Sequence, residues 1–524
     1  MEIQGQIKSA SQCQPINRVN IKALDHENSV IAESISDREG CWTLQTEDKI
    51  AKIIFNKEGF ATKDISFGDK FPRLIRLIEN EIIGYHDKTW FLPGDEVQAY
   101  IHSPFPFRAE LKRYGHQVDK ILDLGTHESI IQQVPDEHFV DKGLKWSPVI
   151  RYKLPANLKP GIYSLFLSSL DGNQKSYSIT FLVSTKPDEY GTKSRLLVLA
   201  SSNNWECYNS WGGRSRYVNF EHNAKPSLKN RLHKWAIYNV PEPIKPLIKK
   251  IFKTNMIVTI QDHPDAWCFF PLSIQRPHPD LSIVNDDVYS PFFNHLAPGE
   301  WRVLAWLERE GLNYDMISGY ELHQNPGLLN NYSALVLSTH CEYWTKEMYN
   351  GLKFFQNKGG AILNLSGNSI YREIQYINKY DLHCVSLRFE KSVEDETQLI
   401  GVRFDMRGYM TSSGFKVMRP EHWVFNGKKL RKGDIFASHS LNQVPGFDGG
   451  SGWETDKLTK TAPKDFILLA KGENKNRGGS DMVIEESNGS GGLVFSASSI
   501  TFGGTLLVDG ISSQLVKNIL QKVC

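Results

Sequence analysis

Residues 335–365 read LVLSTHCEYWTKEMYNGLKFFQNKGGAILNL, and this stretch decides the fold class of the longest part of the chain. Its first three and its last five residues are short apolar runs, which are typical of strands buried on both faces. Between them, Thr345 can cap a helix, because its hydroxyl can accept a hydrogen bond from the first helical turn. The pair Gly359 and Gly360 ends that helix. The order strand, helix, strand predicts one unit of a parallel sheet.

The same alternation extends outward to a long region, 195–524. Residues 196–200 form another apolar run, 298–311 carry the apolar spacing of a helix, and 315–318 read as a short strand. From about Phe404 onward the sequence is richer in strand patterns. We therefore expect an α/β domain over 195–524, built on a doubly wound parallel sheet.

Two stretches rich in strands precede this domain. Residues 1–78 contain short alternating segments separated by Gly and Asp, which predicts a β-sandwich. Residues 80–186 contain Pro-Gly turns ahead of apolar strands, which favours an Ig-like sandwich. The sequence thus predicts a multidomain chain in which two N-terminal β-sandwich modules are followed by the α/β domain.

Composition excludes several classes of protein. The 61 basic and 59 acidic residues leave a net charge of +2, which argues against a nucleic-acid binder. The seven cysteines are widely spaced without a C-x-x-C pair, which predicts thiols in a reducing compartment. The N-terminus lacks the apolar segment of a signal peptide, and no apolar run approaches the ~20 residues of a membrane helix. We therefore expect a cytoplasmic protein without a membrane segment.

Polar and aromatic residues follow the predicted strands. In open α/β sheets, ligands bind at the carboxyl ends of strands, so these loops are the candidate site. Because neighbouring strands end at one edge, we expect Tyr343 and Tyr371 on the same rim. The loops read SSNNWECYNSWGG (201–213), STHCEYW (338–344), SGNSIY (366–371) and GFDGGSGWETD (446–456).

These loops also carry a family resemblance. Residues 195–524 resemble the catalytic domain of the large subunit of N,N-dimethylformamidase, whose core is related to the glutamine-amidotransferase fold. Residues 1–78 resemble the carboxypeptidase regulatory-like module through I-x-G-x-I, D-x-x-G-x-W and K-x-G-F. The blocks of the first resemblance stand in the family's order: NWECYNSWGG, WLEREGLNYDMISGYELH, STHCEYWT, GGAILNLSGNSIYRE, GWETD and GGLVFSASSITFGGTLLVDG.

The resemblance implies hydrolysis of a small amide at a mononuclear iron held by two tyrosinates and one glutamate. The matching residues here are Tyr343, Tyr371 and Glu454, and Asp456 is left open as a replacement for Glu454. Phenolate and carboxylate are hard oxygen donors that suit Fe(III). Beside them, His340 and Glu342 can carry protons.

Other residues of these loops are expected to line the substrate pocket: Trp205, Tyr208, Asn209, Trp211 and Asn368. The formamidase also has a small partner subunit, so a partner of that kind and a homo-oligomer both stay open for this chain. One position departs from the family pattern. The family reads HPEY where this chain reads HCEY, so Cys341 replaces a proline and loosens the expected loop geometry.

Two other functions remain open. A non-catalytic protein could bind a glycan or a protein partner through the same aromatic pocket. A structure in which Glu454 lies far from Tyr343 and Tyr371 would favour this binding function. A cysteine-dependent enzyme could use Cys341, which follows a strand and precedes a helix. A nucleophile elbow, however, requires small neighbours, whereas His340 and Glu342 flank this cysteine.

Overall fold

The chain is multidomain and rich in strands, with few helices. The computed structural model describes residues 1–68, 71–135, 139–172, 174–218, 271–379, 381–386, 395–486 and 492–524. It divides into two compact units: the first holds the described residues of 1–79, 133–142 and 210–272, and the second those of 80–132, 143–209 and 273–524. The predicted domain limits 1–78, 80–186 and 195–524 stay a prediction. Within the described ranges, no helix has the length and apolar character required to cross a membrane.

The first unit consists of two sheets around one core. The sheets have the strand orders β4-β1-β7 and β3-β2-β5-β6. Alternate residues of the strands point inward, so Ile7 and Trp42 of one sheet pack with Ile21 and Phe55 of the other. Its described elements are β1 (Glu2–Ser9), β2 (Asn20–Leu24), β3 (Val30–Ile35), β4 (Cys41–Gln45), β5 (Lys52–Asn56), β6 (Lys63–Ser66), β7 (Leu74–Leu77) and α1 (Phe139–Lys142).

The second unit begins with another pair of sheets. Their strands are β8 (Ile83–His86), β9 (Trp90–Phe91), β10 (Glu96–His102), β11 (Phe107–Tyr114), β12 (Val118–His127), β13 (Ile150–Lys153), β14 (Gly161–Ser169) and β15 (Ser176–Val183). The strand orders are β13-β10-β8 and β12-β11-β14-β15-β9. Tyr114, Ile162 and Leu182 join the same buried cluster as Trp301. This β region therefore shares a core with the rest of its unit.

The remaining described strands include a nine-stranded sheet. They are β16 (Leu196–Leu199), β17 (Leu272–Ser273), β18 (Asp315–Ile317), β19 (Ala334–Thr339), β20 (Tyr343–Trp344), β21 (Ala361–Ser366), β22 (Arg372–Tyr376), β23 (Asp381–Ser386), β24 (Val402–Asp405), β25 (Ser412–Ser413), β26 (Phe415–Val417), β27 (Ile435–Phe436), β28 (Ser451–Gly452), β29 (Thr455–Leu458), β30 (Ile467–Gly472), β31 (Asp481–Glu485) and β32 (Val494–Ser496). The nine-stranded sheet has the order β18-β16-β19-β21-β32-β31-β30-β26-β27. A smaller sheet has the order β17-β23-β22-β20.

The sequence predicted a parallel sheet, but the large sheet of the structure is mixed. Its first five strands, from β18 to β32, run parallel. The other four continue the sheet in antiparallel pairs. A parallel crossover needs a dozen or more residues, and the link between β30 and β31 is shorter than that. The short link therefore makes β30 and β31 an antiparallel pair.

Helices cover both faces of this sheet. They are α2 (Ser202–Tyr208), α3 (Ala297–Arg309), α4 (Gly319–Gln324), α5 (Lys346–Asn357), α6 (Thr397–Ile400) and α7 (Gly510–Val523). Val198 and Val336 lie in one buried cluster with residues of α3 and α7. Their neighbours Leu197 and Leu335 lie in another cluster with residues of α4 and α5. The strands are therefore buried on both sides, as their continuous apolar runs predict.

The stretch 335–365 folds as predicted. Strands β19 and β21 pair in parallel, and the Thr345 side chain caps α5 by accepting a hydrogen bond from the Met348 amide at 3.3 Å. The loops that follow β19 and β21 consequently start at the same edge of the sheet.

Candidate functional site

Three ionisable side chains meet at this edge. His340 and Glu342 follow β19, whereas Glu454 lies between β28 and β29. The Nε2 atom of His340 lies 3.3 Å from Glu342 Oε2 and 3.7 Å from Glu454 Oε2. One donor atom from each residue lies within 4.8 Å of the others. All three side chains are buried, so the arrangement is a candidate metal centre.

Neighbouring groups fix the orientation of each of these side chains. The Nδ1 atom of His340 lies 2.9 Å from the Gly367 carbonyl oxygen, so Nδ1 carries a proton and Nε2 faces the carboxylates of the site. Arg372 Nε donates to Glu342 Oε1 at 2.7 Å. Asn368 Nδ2 donates to Glu454 Oε2 at 2.8 Å. Such outer partners are typical of metal centres.

Tyr208, at the end of α2, joins two of these residues. Its hydroxyl lies 2.9 Å from His340 Nε2 and donates to Glu342 Oε2 at 3.2 Å. The predicted pocket residue Tyr208 and the predicted proton carriers therefore lie in direct contact.

Burial and charge act together on the ionisable groups. Burial raises the pKa of Glu454, while the neighbouring His340 charge counteracts part of that rise. For His340, burial lowers the pKa, but the hydrogen bond to Glu342 and the charge of Glu454 outweigh it and leave the pKa above its usual value. Burial also raises the pKa of Asp456 to about 8. Asp456 Oδ1 accepts a hydrogen bond from the Asn368 backbone amide at 2.8 Å, and its Oδ2 is buried without a partner in the described ranges.

The two predicted tyrosine ligands lie on the same rim as Glu342. In the parallel pair of β20 and β22, Tyr343 is opposite Arg372. The Tyr343 ring is buried, and the Arg372 guanidinium lies 5.8 Å from its centroid. Tyr371 donates its amide to the Glu342 carbonyl at 2.9 Å, and its ring meets Phe404 edge-on. Coordination of a metal by their phenolic oxygens stays a prediction.

The other predicted pocket residues have different surroundings. Asn368 holds Glu454, as described above. Trp205 is fully buried and donates its indole N–H to Glu300 at 2.7 Å. Asn209 donates to the Pro277 carbonyl at 3.0 Å. Trp211 belongs to the first unit, where its ring packs edge-on against Phe139. A pocket role for these last three residues stays a prediction.

Sequence reasoning missed two residues of the site, His295 and Arg372. His295 packs its ring against Tyr208, His340 and Trp453, with centroid distances of 4.6, 5.0 and 4.8 Å. Arg372, which donates to Glu342, was not among the predicted site residues. A histidine two residues before the helix at 297 and an arginine directly after Tyr371 were the available signals.

Strained backbone surrounds the centre. Positive φ angles occur at Thr339 (55°), Asn368 (51°), Ile370 (53°) and Trp453 (68°). This region of φ is unfavourable for L-residues, above all for β-branched ones such as Thr339 and Ile370. Strain of roughly 1–3 kcal/mol per residue persists where the surrounding structure enforces it, and it is concentrated at functional sites.

Cys341 has the properties of a structural thiol. It is buried, and its Sγ lies 2.9 Å from the Ser201 hydroxyl. Burial raises the pKa of the thiol to about 12. Since the thiolate is the nucleophilic form, these surroundings give no support to a cysteine nucleophile.

The fold and the site together define a multidomain, β-rich protein with a candidate His–Glu metal centre. The family model described as "N,N-dimethylformamidase beta subunit-like, C-terminal" matches residues 108–513, and the chain belongs to that family. The match includes most of 195–524 and extends into the preceding β region. A search among curated proteins gave no match.

Solved structures show only weak similarity. The mmIFT52 N-terminal domain is 12% identical, with coverage of 42% of this chain and 89% of that one, at a TM-score of 0.26. For E. coli alpha-2-macroglobulin the identity is 10%, the coverages are 33% and 11%, and the TM-score is 0.13. A DUF3823 family protein from Parabacteroides merdae is 11% identical, with coverages of 35% and 97% and a TM-score of 0.13. Scores this low do not support an assignment of fold or function.

Proposed function

We propose that the chain is an iron-dependent hydrolase of C–N bonds in a small amide, of the N,N-dimethylformamidase kind. The observation that carries this proposal is the buried cluster of His340, Glu342 and Glu454, whose donor atoms lie within 4.8 Å of one another. It stands at the carboxyl edge of parallel strands, where α/β proteins bind their ligands. Membership of the family supports the same reaction class.

The donors at the site fit a metal of this type. Carboxylate oxygen and imidazole nitrogen are suitable ligands for iron. Buried Asp456 Oδ2 and Asn368 Oδ1, which have no partner among the described residues, add further oxygen atoms beside Glu454. We propose Tyr343, Tyr371 and Glu454 as the ligands of a mononuclear Fe(III). A set of His340, Glu342 and Glu454 is the competing arrangement, and it shares Glu454.

When bound, the metal would polarise the amide carbonyl and lower the pKa of a bound water. Amide hydrolysis also requires removal of a proton from water and delivery of a proton to the leaving amine. We assign these transfers to His340 and Glu342, because Nε2 of His340 faces Glu342 Oε2 while Gly367 fixes the ring. Arg372 occupies the other oxygen of Glu342, and Tyr208 bridges the pair.

Further features of the protein are part of the same proposal. The core of the second unit would be related to the glutamine-amidotransferase fold. The family description names a beta subunit, so we propose assembly either with a small partner subunit or with further copies of this chain. The substrate would be a small amide.

The decisive experiment combines elemental analysis of the purified protein with an assay for dimethylamine release from N,N-dimethylformamide. We expect near-stoichiometric iron and turnover in the wild type, and loss of both in Glu454→Gln, which keeps the shape of the side chain but removes its charge. Glu421→Gln, at an exposed carboxylate, is the matched control and should retain both. A metal-free protein that cannot be reconstituted and releases no amine would refute the proposal and favour a non-catalytic binding role.

A further inference from the structure

The imidazole of His295 has a nitrogen atom without a partner at the site. Its Nε2 is buried and has no hydrogen-bond partner among the residues that the structure describes. A buried polar group without a partner costs about 1–3 kcal/mol, and native structures tolerate few of them. The ring therefore requires an explanation beyond packing.

The surroundings of the ring restrict which partner it can take. Tyr208, His340 and Trp453 all meet the imidazole at steep angles of 78°, 72° and 64°. The hydroxyl of Tyr208 and Nε2 of His340 already bond to each other. The ring consequently belongs to the wall of the site, and, since the described part of the chain supplies no partner for Nε2, a bound molecule is the candidate.

The backbone at His295 is held on both sides. The preceding residue, Asn294, accepts from the Leu296 amide at 2.7 Å and donates to the Asp280 carbonyl at 2.6 Å. Two residues earlier, Phe292 exchanges backbone hydrogen bonds with the segment 441–443. On the other side, helix α3 begins at Ala297. A donor held in this way needs little reorganisation when a ligand arrives.

We infer that His295 is a substrate-binding residue of this site, and that its Nε2–H donates a hydrogen bond to the carbonyl oxygen of the amide. This inference rests on the proposed function. A carbonyl oxygen is the strong acceptor of a small amide, and negative charge grows on it during attack at the carbonyl carbon. The hydrogen bond would thus strengthen as the reaction proceeds, which is the requirement for raising kcat.

The test compares His295→Phe, which keeps a flat ring but removes the donor, with His295→Gln, which keeps a donor. His26→Phe, at an exposed histidine of the first unit, is the matched control. For His295→Phe we expect kcat/KM for N,N-dimethylformamide to fall by about 10²–10³-fold, as for loss of one oxyanion donor. Iron content should be unchanged, and His295→Gln should recover part of the activity.

The remaining outcomes separate this inference from the proposed function. If the wild type contains iron and releases dimethylamine but His295→Phe stays within about threefold of it, His295 does not bind the substrate. If His295→Phe loses iron and activity together, the residue supports the metal centre and the inference is overturned. If the wild type itself releases no dimethylamine, the proposed function fails and this assignment fails with it.

Saturation-transfer NMR with N,N-dimethylformamide measures substrate binding separately from turnover. In this measurement His295→Phe should lose affinity about tenfold, the equivalent of one hydrogen bond.

Discussion

The hydroxyl of Tyr371 belongs to only one of the two possible sets of iron ligands. One set is Tyr343, Tyr371 and Glu454, and the other is His340, Glu342 and Glu454. Tyrosinate bound to Fe(III) gives a visible charge-transfer band, whereas histidine and carboxylate ligands do not. We expect Tyr371→Phe to abolish or strongly weaken that band and to reduce iron content, because a phenyl ring offers no donor atom. Visible absorption and elemental analysis of the same sample measure both effects.

The control for this substitution is Tyr289→Phe, at an exposed tyrosine. Retention of full iron with an unchanged band in Tyr371→Phe would remove Tyr371 from the ligand set. Iron without any band in the wild type would favour His340, Glu342 and Glu454 as the ligands.

The raised pKa of the buried Glu206 carboxyl makes the free energy of unfolding depend on pH. Burial raises its pKa to about 8, although the nearby charge of Arg276 acts in the opposite direction. Between its ordinary pKa of 4.5 and about 8, the unfolded chain has released a proton that the folded chain retains. The free energy of unfolding therefore falls as pH rises through this window, by up to about 1.4 kcal/mol per pH unit from this group.

Glu206→Gln removes this titration while keeping the shape of the side chain. Denaturant unfolding at about pH 5 and about pH 8 should show a smaller difference in stability for the variant than for the wild type. The exposed control Glu421→Gln should keep the wild-type difference. Equal pH dependence in Glu206→Gln and the wild type would show that Glu206 is ionised in the folded protein.

At the scale of elements, Gly367 permits the loops after β21 and β28 to approach each other. A Cβ atom at this glycine would lie 2.4 Å from the Glu454 carbonyl oxygen and 2.7 Å from the Ile500 amide nitrogen, and both are backbone atoms. The Gly367 carbonyl also fixes the His340 ring. We expect Gly367→Ala to separate these loops, with a loss of about 1–3 kcal/mol of stability through overpacking and loss of bound iron.

Gly68→Ala is the matched control, since no atom lies within 4 Å of its Cβ position. Thermal unfolding and elemental analysis would follow both variants. A Gly367→Ala protein that keeps wild-type stability and iron content would show that this close approach is not required.

The same elements show how far the sequence predicts the structure. Apolar runs and the Thr345 cap predicted β19, α5 and β21, because local periodicity and capping decide those elements. The antiparallel half of the large sheet was not predicted. Its strands, such as β26 and β27, are short, and their pairing is decided by tertiary contacts and connection lengths rather than by local pattern.

At the scale of the whole molecule, the candidate site illustrates a different limit. The parallel order of the strands predicted that the loops containing Tyr343 and Tyr371 would lie on one rim, because these loops follow neighbouring strands. Glu454 entered through the family resemblance alone, and His295 lies in an irregular segment far from the other residues in sequence. Contacts between distant irregular segments have no periodic signature, so the structure was required to identify them.

The arrangement in two units predicts where metal binding stabilises the molecule. His340, Glu342 and Glu454 all lie in the second unit, and a ligand that binds only the folded state stabilises it by about 2.7 kcal/mol at a hundredfold excess over Kd. Chelation of iron should therefore lower the Tm of the second unit by a few degrees and leave the first unit unchanged. Differential scanning calorimetry of iron-loaded and chelated protein measures this shift, and Glu454→Gln should already unfold like the chelated form. An equal Tm with and without iron would mean that the metal does not bind the folded centre. If chelation still lowers the Tm of Glu454→Gln, the ligands of the metal lie elsewhere.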